Sequence, residues 1–136
     1  MNAHAVNELV ASLDLQPHPE GGFYRETWRD PAEGRSSGTA IYFLLPGGVE
    51  SRWHRIDAVE IWHHYAGAPL ELLLSDNPPR TDEIIRIGTD IIGGERPQAL
   101  VKPDQWQAAR SLGEWTLVGC TVSPAFEFER FEIFGD

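Results

Sequence analysis

The chain has 136 residues, of which 41% are hydrophobic and 24% charged, with a formal net charge of −10 at pH 7. At this length we expect one globular domain spanning residues 1–136. The acidic balance argues against nucleic acid and anionic membrane surfaces as partners, because both require a basic face. The single cysteine, Cys120, excludes an intrachain disulfide, and no apolar run approaches the about 20 residues that span a bilayer. No segment resembles a signal peptide, so the cytoplasm is the expected location.

One helix is predicted near the start of the chain, where Val6, Leu9, Val10 and Leu13 recur at the spacing of one helical face and Pro17 ends the pattern. The remainder is typical of short strands separated by Gly, Pro, Asp and Asn. About ten such strands at even spacing indicate an all-β barrel or jelly roll and leave no room for βαβ units. The predicted strands are 23–28, 39–45, 51–56, 60–65, 70–74, 83–87, 98–102, 105–109, 114–122 and 127–133.

One spacing pattern carries most of the functional information. Gly48, His54, Glu60 and Gly67 are separated by five, five and six residues. This spacing resembles the first signature motif of the cupin superfamily. The segments 18–26, 57–63 and 123–128 further resemble, in this order, the small cupin-like family of unknown function often called the fifth cupin family. The resemblance extends from about residue 13 to residue 133 and implies a cupin double-stranded β-helix, an RmlC-like jelly-roll barrel, with one short N-terminal helix and a ligand pocket in the lumen.

The metal ligands that such a resemblance implies are only partly present. Metal-binding cupins present two His and one Glu from the first motif and one His from the second. Here His54 and Glu60 occupy two of these places, Ile56 replaces the second His, and Ala108 stands where the second motif has its His. A catalytic metal normally holds at least three protein ligands. The resemblance therefore predicts a barrel without a metal cofactor.

Strand alternation predicts which side chains reach the lumen. If Glu60 faces inward, so do Trp62 and His64, and if His54 does, so does Arg52. His64 lies about 13 Å along the strand from Glu60, too far to share an ion with it. Two indoles suit a ring-shaped ligand and a guanidinium suits an anionic group, although inward Trp residues also fill small barrels. The candidate ligand-binding residues are Arg52, Trp62, His64, Trp106 and Gln105, with Glu20 and Arg25 from the polar segment 18–26, which the resemblance places near the barrel mouth.

Three functions remain open, and the sequence does not decide whether the protein is an enzyme. The first is a metal-independent barrel that binds a small, sugar-like or otherwise cyclic anionic metabolite. As an enzyme, it would use His54 as general acid or base, oriented by Glu60 or a nearby carboxylate, and would resemble the metal-free sugar-nucleotide epimerases among cupins. The second is a metal-dependent cupin enzyme that uses His54, Glu60 and a ligand from outside the motifs. The third is a non-enzymatic ligand-binding or sensing module.

The resemblance also implies a homodimer. Cupin barrels commonly pair through their sheets, and exposed sheet edges need cover.

Overall fold

The computed structural model describes residues 3–136, in which one α-helix precedes eleven strands. Helix α1 spans Ala3–Leu13 and a single 3-10 turn spans Phe128–Arg130. The strands are β1 (Gln16–Pro17), β2 (Phe23–Arg29), β3 (Thr39–Pro46), β4 (His54–Arg55), β5 (Val59–Gly67), β6 (Leu70–Ser75), β7 (Glu83–Ile87), β8 (Gln98–Val101), β9 (Trp106–Ser111), β10 (Trp115–Ser123) and β11 (Glu132–Ile133). Within residues 3–136, no helix has the length and apolarity needed to cross a membrane.

The strands form two antiparallel sheets, so the all-β prediction is confirmed. The first sheet has the order β1-β2-β3-β10-β5-β8 and the second has the order β11-β4-β9-β6-β7. The crossovers between them place strands that are distant in the sequence side by side, as β10 lies between β3 and β5. This arrangement encloses an interior between the two sheets.

Alternation along the strands divides the apolar residues between two regions. Phe43 and Leu45 of β3 point into the core between the sheets, together with Trp62 and Cys120. Leu44, between them, points outward and packs with the apolar face of α1. The predicted amphipathic helix therefore covers the part of the outer face of the six-stranded sheet around Leu44. Cys120 is buried in this core and only 2% exposed.

Two predicted strands are shorter than expected. Only His54–Arg55 of the predicted strand 51–56 is regular, because the N–H of Arg52 donates to the carbonyl of Glu20 and not to β9. The predicted tail strand 127–133 is instead the 3-10 turn followed by β11. Phe128 and Phe131 both line the interior. In a strand, two residues three apart would point to opposite faces, whereas the 3-10 turn brings them to the same side.

Candidate active site

The barrel encloses a cavity of about 290 Å³ that is lined by both sheets and by the C-terminal segment. Metabolite sites run from about 300 to 1,000 Å³, so this cavity suits a small ligand. Its lining combines aromatic and aliphatic side chains with a few carboxyl and imidazole groups. The lining residues are Gln16, His18, Glu20, Tyr24, Glu26, Arg29, Thr39, Ile41, His54, Ile56, Glu60, Val122, Phe126, Phe128 and Phe131.

A tight turn between β1 and β2 carries His18 and Glu20 into the cavity. His18 N–H donates to the carbonyl of Gly22 at 2.9 Å, and Gly22 has a φ of 76°, which other residues adopt only with strain. The N–H of Glu20 donates to Nδ1 of His18 at 3.1 Å, so the proton of the neutral ring lies on Nε2. Burial lowers the pKa of His18 to about 3, and the ring is uncharged at neutral pH.

The backbone of Arg52 holds His54 in one orientation. Nδ1 of His54 lies 2.7 Å from the carbonyl oxygen of Arg52, and because a carbonyl only accepts, Nδ1 carries the proton. The other nitrogen, Nε2, lies 3.3 Å from Oε1 of Glu20. The N–H of Arg52 donates to the carbonyl of Glu20 at 2.7 Å. The main chain of one residue therefore positions both partners of this pair.

The His54–Glu20 pair holds one proton between its two facing atoms. An unprotonated Nε2 and an ionised carboxylate would be two acceptors in contact, so one of them must be protonated. Burial lowers the pKa of His54 to about 4. Burial, assisted by repulsion from Glu60, raises the pKa of Glu20 well above its ordinary value. Both shifts favour the uncharged forms, so at neutral pH a protonated carboxyl donates to a neutral imidazole.

Glu60 belongs to a second polar chain that ends in the core. Nε1–H of Trp62 donates to Oε1 of Gln107 at 2.8 Å, and Nε2–H of Gln107 donates to Oε1 of Glu60 at 2.7 Å. Because the indole can only donate, it fixes the orientation of the amide and leaves the amide N–H for the carboxyl. Burial raises the pKa of Glu60 to about 7, against the opposing hydrogen bonds from Gln107 and Cys120. Glu60 therefore changes its charge near neutral pH.

Aromatic rings form one side of the cavity. The ring of Phe126 lies 4.8 Å from that of Phe128 and 5.3 Å from that of Phe131, measured between centroids. Tyr24 extends the surface, with its ring 6.5 Å from Phe128. We call these four side chains the aromatic wall. Such rings present flat apolar faces to a ligand, with negative charge density on each face.

The cavity offers little positive charge to offset its carboxyl groups. Arg29 is the one lysine or arginine among the described lining residues, and its guanidinium is already bound. Its Nη2 and Nε donate to the carboxylate of Glu26 at 2.7 and 3.1 Å, and Nη2 also donates to the carbonyl of Phe126 at 2.8 Å. Glu20 and Glu60 are therefore left without a paired cation among the lining side chains.

Three predicted site residues meet in the cavity. The sequence places His54 and Glu60 in the lumen, and both line it. Glu20, predicted from the polar segment 18–26, lines it as well and is the carboxyl that contacts His54. Glu60 is bonded to Gln107 instead. That these groups act on a ligand stays a prediction.

The predicted position of Arg52 in the lumen is wrong, and Arg25 does not line the cavity either. The side chain of Arg52 is 47% exposed and its Nη2 lies 2.7 Å from Oδ1 of Asp136. Residues 51–53 form a loop, so strand alternation does not extend to Arg52. The guanidinium of Arg25 lies over the ring of Tyr42, 5.7 Å from its centroid, and outside the cavity. Neither guanidinium group is therefore in a position to bind an anionic ligand inside the cavity.

The predicted positions of Trp106 and Gln105 are also wrong. Gln107 is fully buried and faces the interior, so its neighbour Trp106 lies on the opposite face of β9. There, the guanidinium of Arg55 lies 4.5 Å from the centroid of the Trp106 ring. Gln105 lies in the turn before β9, where its side-chain oxygen accepts the N–H of Lys102 at 3.1 Å. The second motif was therefore aligned one residue too far along the chain, and Gln107, not Ala108, faces the interior at the place of its His.

Trp62 and His64 do not line the cavity either. Trp62 faces the interior as predicted, but it is 1% exposed and packs in the core against Phe43. Nε2 of His64 lies 3.1 Å from the carbonyl of Ala68. His64 borders a separate open depression with His63. The buried indole stands between Glu60 and His64 along β5.

Several residues at or beside the cavity are not among the predicted ligand-binding residues. His18 belongs to the polar segment 18–26, which is predicted to lie near the barrel mouth, and it lines the cavity. Gln107 does not line the cavity but contacts Glu60, and it is the one polar residue in the buried run 107–109, an unusual place for an amide without a partner that could have been a signal. Phe128 and Phe131 line the cavity because the tail forms a 3-10 turn before β11. The sequence predicts a continuous strand over 127–133, in which these two side chains would lie on opposite faces.

The donor groups do not match the ligand set of a metal-binding cupin. Among residues 3–136, no three His, Cys, Asp or Glu side chains are grouped in a way that suits one ion. Ile56 lines the cavity with an aliphatic side chain, and Gln107 turns its amide N–H, which cannot bind a cation, toward Glu60. A resident metal would need at least one more ligand than this set provides.

Similar proteins share the whole fold. The family model described as "Cupin superfamily (DUF985)" matches residues 7–134. A crystal structure of a protein from Shewanella oneidensis is 36% identical over 94% of this chain and 83% of its own, with a TM-score of 0.87. A hypothetical protein from Leishmania major is 31% identical over 94% of this chain and 86% of its own, with a TM-score of 0.81.

A more distant structure supports the fold alone. The cupin 2 conserved barrel domain protein from Rhodopseudomonas palustris is 15% identical over 88% of this chain and 75% of its own, with a TM-score of 0.63. No curated protein matches the chain. With two antiparallel sheets in the cupin arrangement and a family match over nearly its full length, the chain belongs to the cupin superfamily, in the family DUF985.

Proposed function

We propose that this protein is a metal-independent acid–base enzyme that moves a proton on a small, ring-shaped metabolite held in the barrel cavity. The observation that carries the proposal is the pairing of His54 with Glu20 beside a third buried group, Glu60. Proton transfer requires groups that exchange a proton near the working pH and that stay fixed in orientation. Each of these groups is held by a named hydrogen bond.

The two carboxyl groups suit complementary roles. Glu60, with a pKa near 7, is available as a general base in about half of the molecules at neutral pH. Glu20 retains its proton and shares it with His54, so this pair can act as the general acid. A base and an acid in one cavity support proton removal and return at a carbon next to a carbonyl. The aromatic wall provides apolar surface for a ring-shaped substrate.

Deuterium exchange tests this function even though the natural substrate is unknown. The protein is incubated in heavy water with a panel of aldoses, ketoses, lactones and amino sugars, and deuterium bound to carbon is measured by mass spectrometry. We expect enzyme-dependent exchange with at least one compound, slowed about 100-fold or more by Glu60→Gln. Glu132→Gln is the control, because Glu132 is exposed and pairs with Arg55 outside the cavity. A compound that binds with no exchange would instead support a binding or sensing module.

The metal-dependent alternative has a separate test. Elemental analysis of protein purified without a histidine tag should find less than about one iron, manganese, nickel or zinc ion per ten chains. A stoichiometric metal that is lost in Glu60→Gln would favour a metal-dependent cupin enzyme, in which an ion recruits a further ligand to His54 and Glu60.

We also propose that the protein is a homodimer. Trp28, Tyr65 and Leu100 are 51%, 54% and 51% exposed. Their strand partners place Trp28 and Leu100 on the outer face of the six-stranded sheet, and Tyr65 crosses Gly119 on the same face. Large exposed apolar side chains on one sheet face are typical of an interface. Light scattering at micromolar concentration should give twice the chain mass, and a monomer would refute the proposal.

A further inference from the structure

We propose that the metabolite bound in this cavity is a small organic cation, with an ammonium-type group lying between the aromatic wall and the carboxyl groups of Glu60 and Glu20. The inference rests on the proposed function, since it names the substrate class of the same cavity. It depends on two features of the lining: the buried carboxyl group of Glu60, which no cationic side chain of the lining accompanies, and a cluster of aromatic faces.

The charges of the lining favour a positively charged guest. Glu60 is 9% exposed and Glu20 is 7% exposed, and both line the cavity. Glu20 keeps its proton, so Glu60 is the group that becomes ionised. The guanidinium of Arg29 is bound to Glu26 and to a backbone carbonyl, so it does not compensate that charge. A buried carboxylate is costly unless an opposite charge accompanies it. A cationic ligand supplies that charge, whereas an anionic ligand adds a further unfavourable one.

The aromatic wall complements the acidic groups. A cation within about 6 Å of a ring centroid is attracted by the negative face of the ring, and such rings recognise alkylated ammonium groups. Phe126, Phe128 and Phe131 lie within 6.1 Å of one another, so a single group can contact more than one of them. His18 borders the same rings, with a centroid 4.6 Å from Tyr24, and being uncharged it does not repel a cation.

Pairs of probes that differ only in charge test the inference. Choline and its neutral carbon isostere dimethylbutanol are one such pair, and a set of primary and methylated amines with their hydrocarbon or alcohol isosteres extends it. Binding is measured by thermal shift and then by calorimetry. We expect at least one cation to bind about tenfold or more tightly than its neutral partner and to raise the Tm by about 4 °C at ten times its Kd. If no cation exceeds its neutral isostere, the inference is overturned.

Two variants with matched controls show whether the cation occupies this cavity. Glu60→Gln should remove most of the preference for the cation, whereas Glu132→Gln should keep it. Phe128→Leu should weaken binding about fivefold by removing one aromatic face. Phe134→Leu should have no effect, because Phe134 is similarly exposed on the same segment but packs edge-on against Trp106 outside the cavity. A preference that survives both cavity variants would place the cation elsewhere and overturn the inference.

The two proposals fail in different ways. Deuterium exchange that occurs only with neutral compounds would leave the acid–base function standing and overturn the cationic substrate. A cation that binds between the wall and Glu60 with no exchange in any compound would support the ligand class and remove the catalytic function.

Discussion

Replacing Glu60 with glutamine should change how the stability of the protein depends on pH. Burial raises the pKa of Glu60 from 4.5 to about 7. Between these values, the folded protein keeps a proton that the unfolded chain has released, so stability falls as the pH rises. Above pH 7 the whole difference of ~2.5 pH units has been lost, which corresponds to about 3 kcal/mol of unfolding free energy. Glutamine has no proton to release and does not incur this loss.

Urea unfolding at about pH 5 and about pH 8 measures the effect. The stability of Glu60→Gln relative to the natural chain should increase by about 2–3 kcal/mol between these conditions, whatever its offset at the lower pH, because a small part of the loss has already occurred at pH 5. Removal of the Glu60 charge also relieves its repulsion of Glu20, which acts in the same direction. The control Glu132→Gln removes an exposed carboxyl, and its offset should change by less than about 0.5 kcal/mol. If the relative stability of Glu60→Gln also changes by less than about 0.5 kcal/mol between the two pH values, this carboxyl is not buried in a poorly solvated cavity.

Three further substitutions test other parts of the structure. Gln107→Leu should destabilise the protein by about 2–4 kcal/mol in urea unfolding, because the buried indole N–H of Trp62 and the carboxyl that Gln107 contacts lose their partner. Gly22→Ala should lower the unfolding free energy by about 2 kcal/mol or more beyond the effect of Gly34→Ala. Both glycines have positive φ, but only at Gly22 would the new Cβ lie 2.7 Å from a backbone oxygen. Equal losses of stability would refute this steric reason. Arg52→Ala should change stability by less than about 1 kcal/mol and leave cavity binding unaltered, because its ion pair is exposed; a loss of binding in calorimetry would restore Arg52 to the site.

The sequence predicted the features that depend on regular strands. The helix, the two-sheet architecture and the inward direction of Glu60 and Trp62 all follow from periodicity or from the spacing of the first motif. Strand alternation is exact within a regular strand, so a residue on the same strand as a motif position can be placed with respect to it. His54, whose place follows from the motif spacing, begins the short strand β4 and lines the cavity.

Most of the errors have one of two sources: the chain leaves a regular strand, or a motif was matched out of phase. Arg52 is two residues from His54, but the loop before β4 turns its side chain to solvent. Trp106 was placed by a poorly matched second motif, and a shift of one residue moves a side chain to the opposite face. The contact between Glu20 and His54 joins residues that are distant in the sequence, and no local pattern encodes it. The contribution of Phe128 likewise depends on the 3-10 turn that folds the tail over the cavity.

The replacements at the metal-ligand positions of the motifs give Glu60 a different chemistry. Beside a divalent cation, a carboxylate is held in its ionised form and its pKa falls. Ile56 offers no ligand atom, and Gln107 donates a hydrogen bond to the carboxyl where a cation would otherwise compensate it. A neutral donor stabilises the carboxylate less than burial destabilises it, so the pKa of Glu60 rises toward neutrality instead. Burial therefore leaves Glu60 with a pKa near neutrality, and the proposed proton transfer depends on this property.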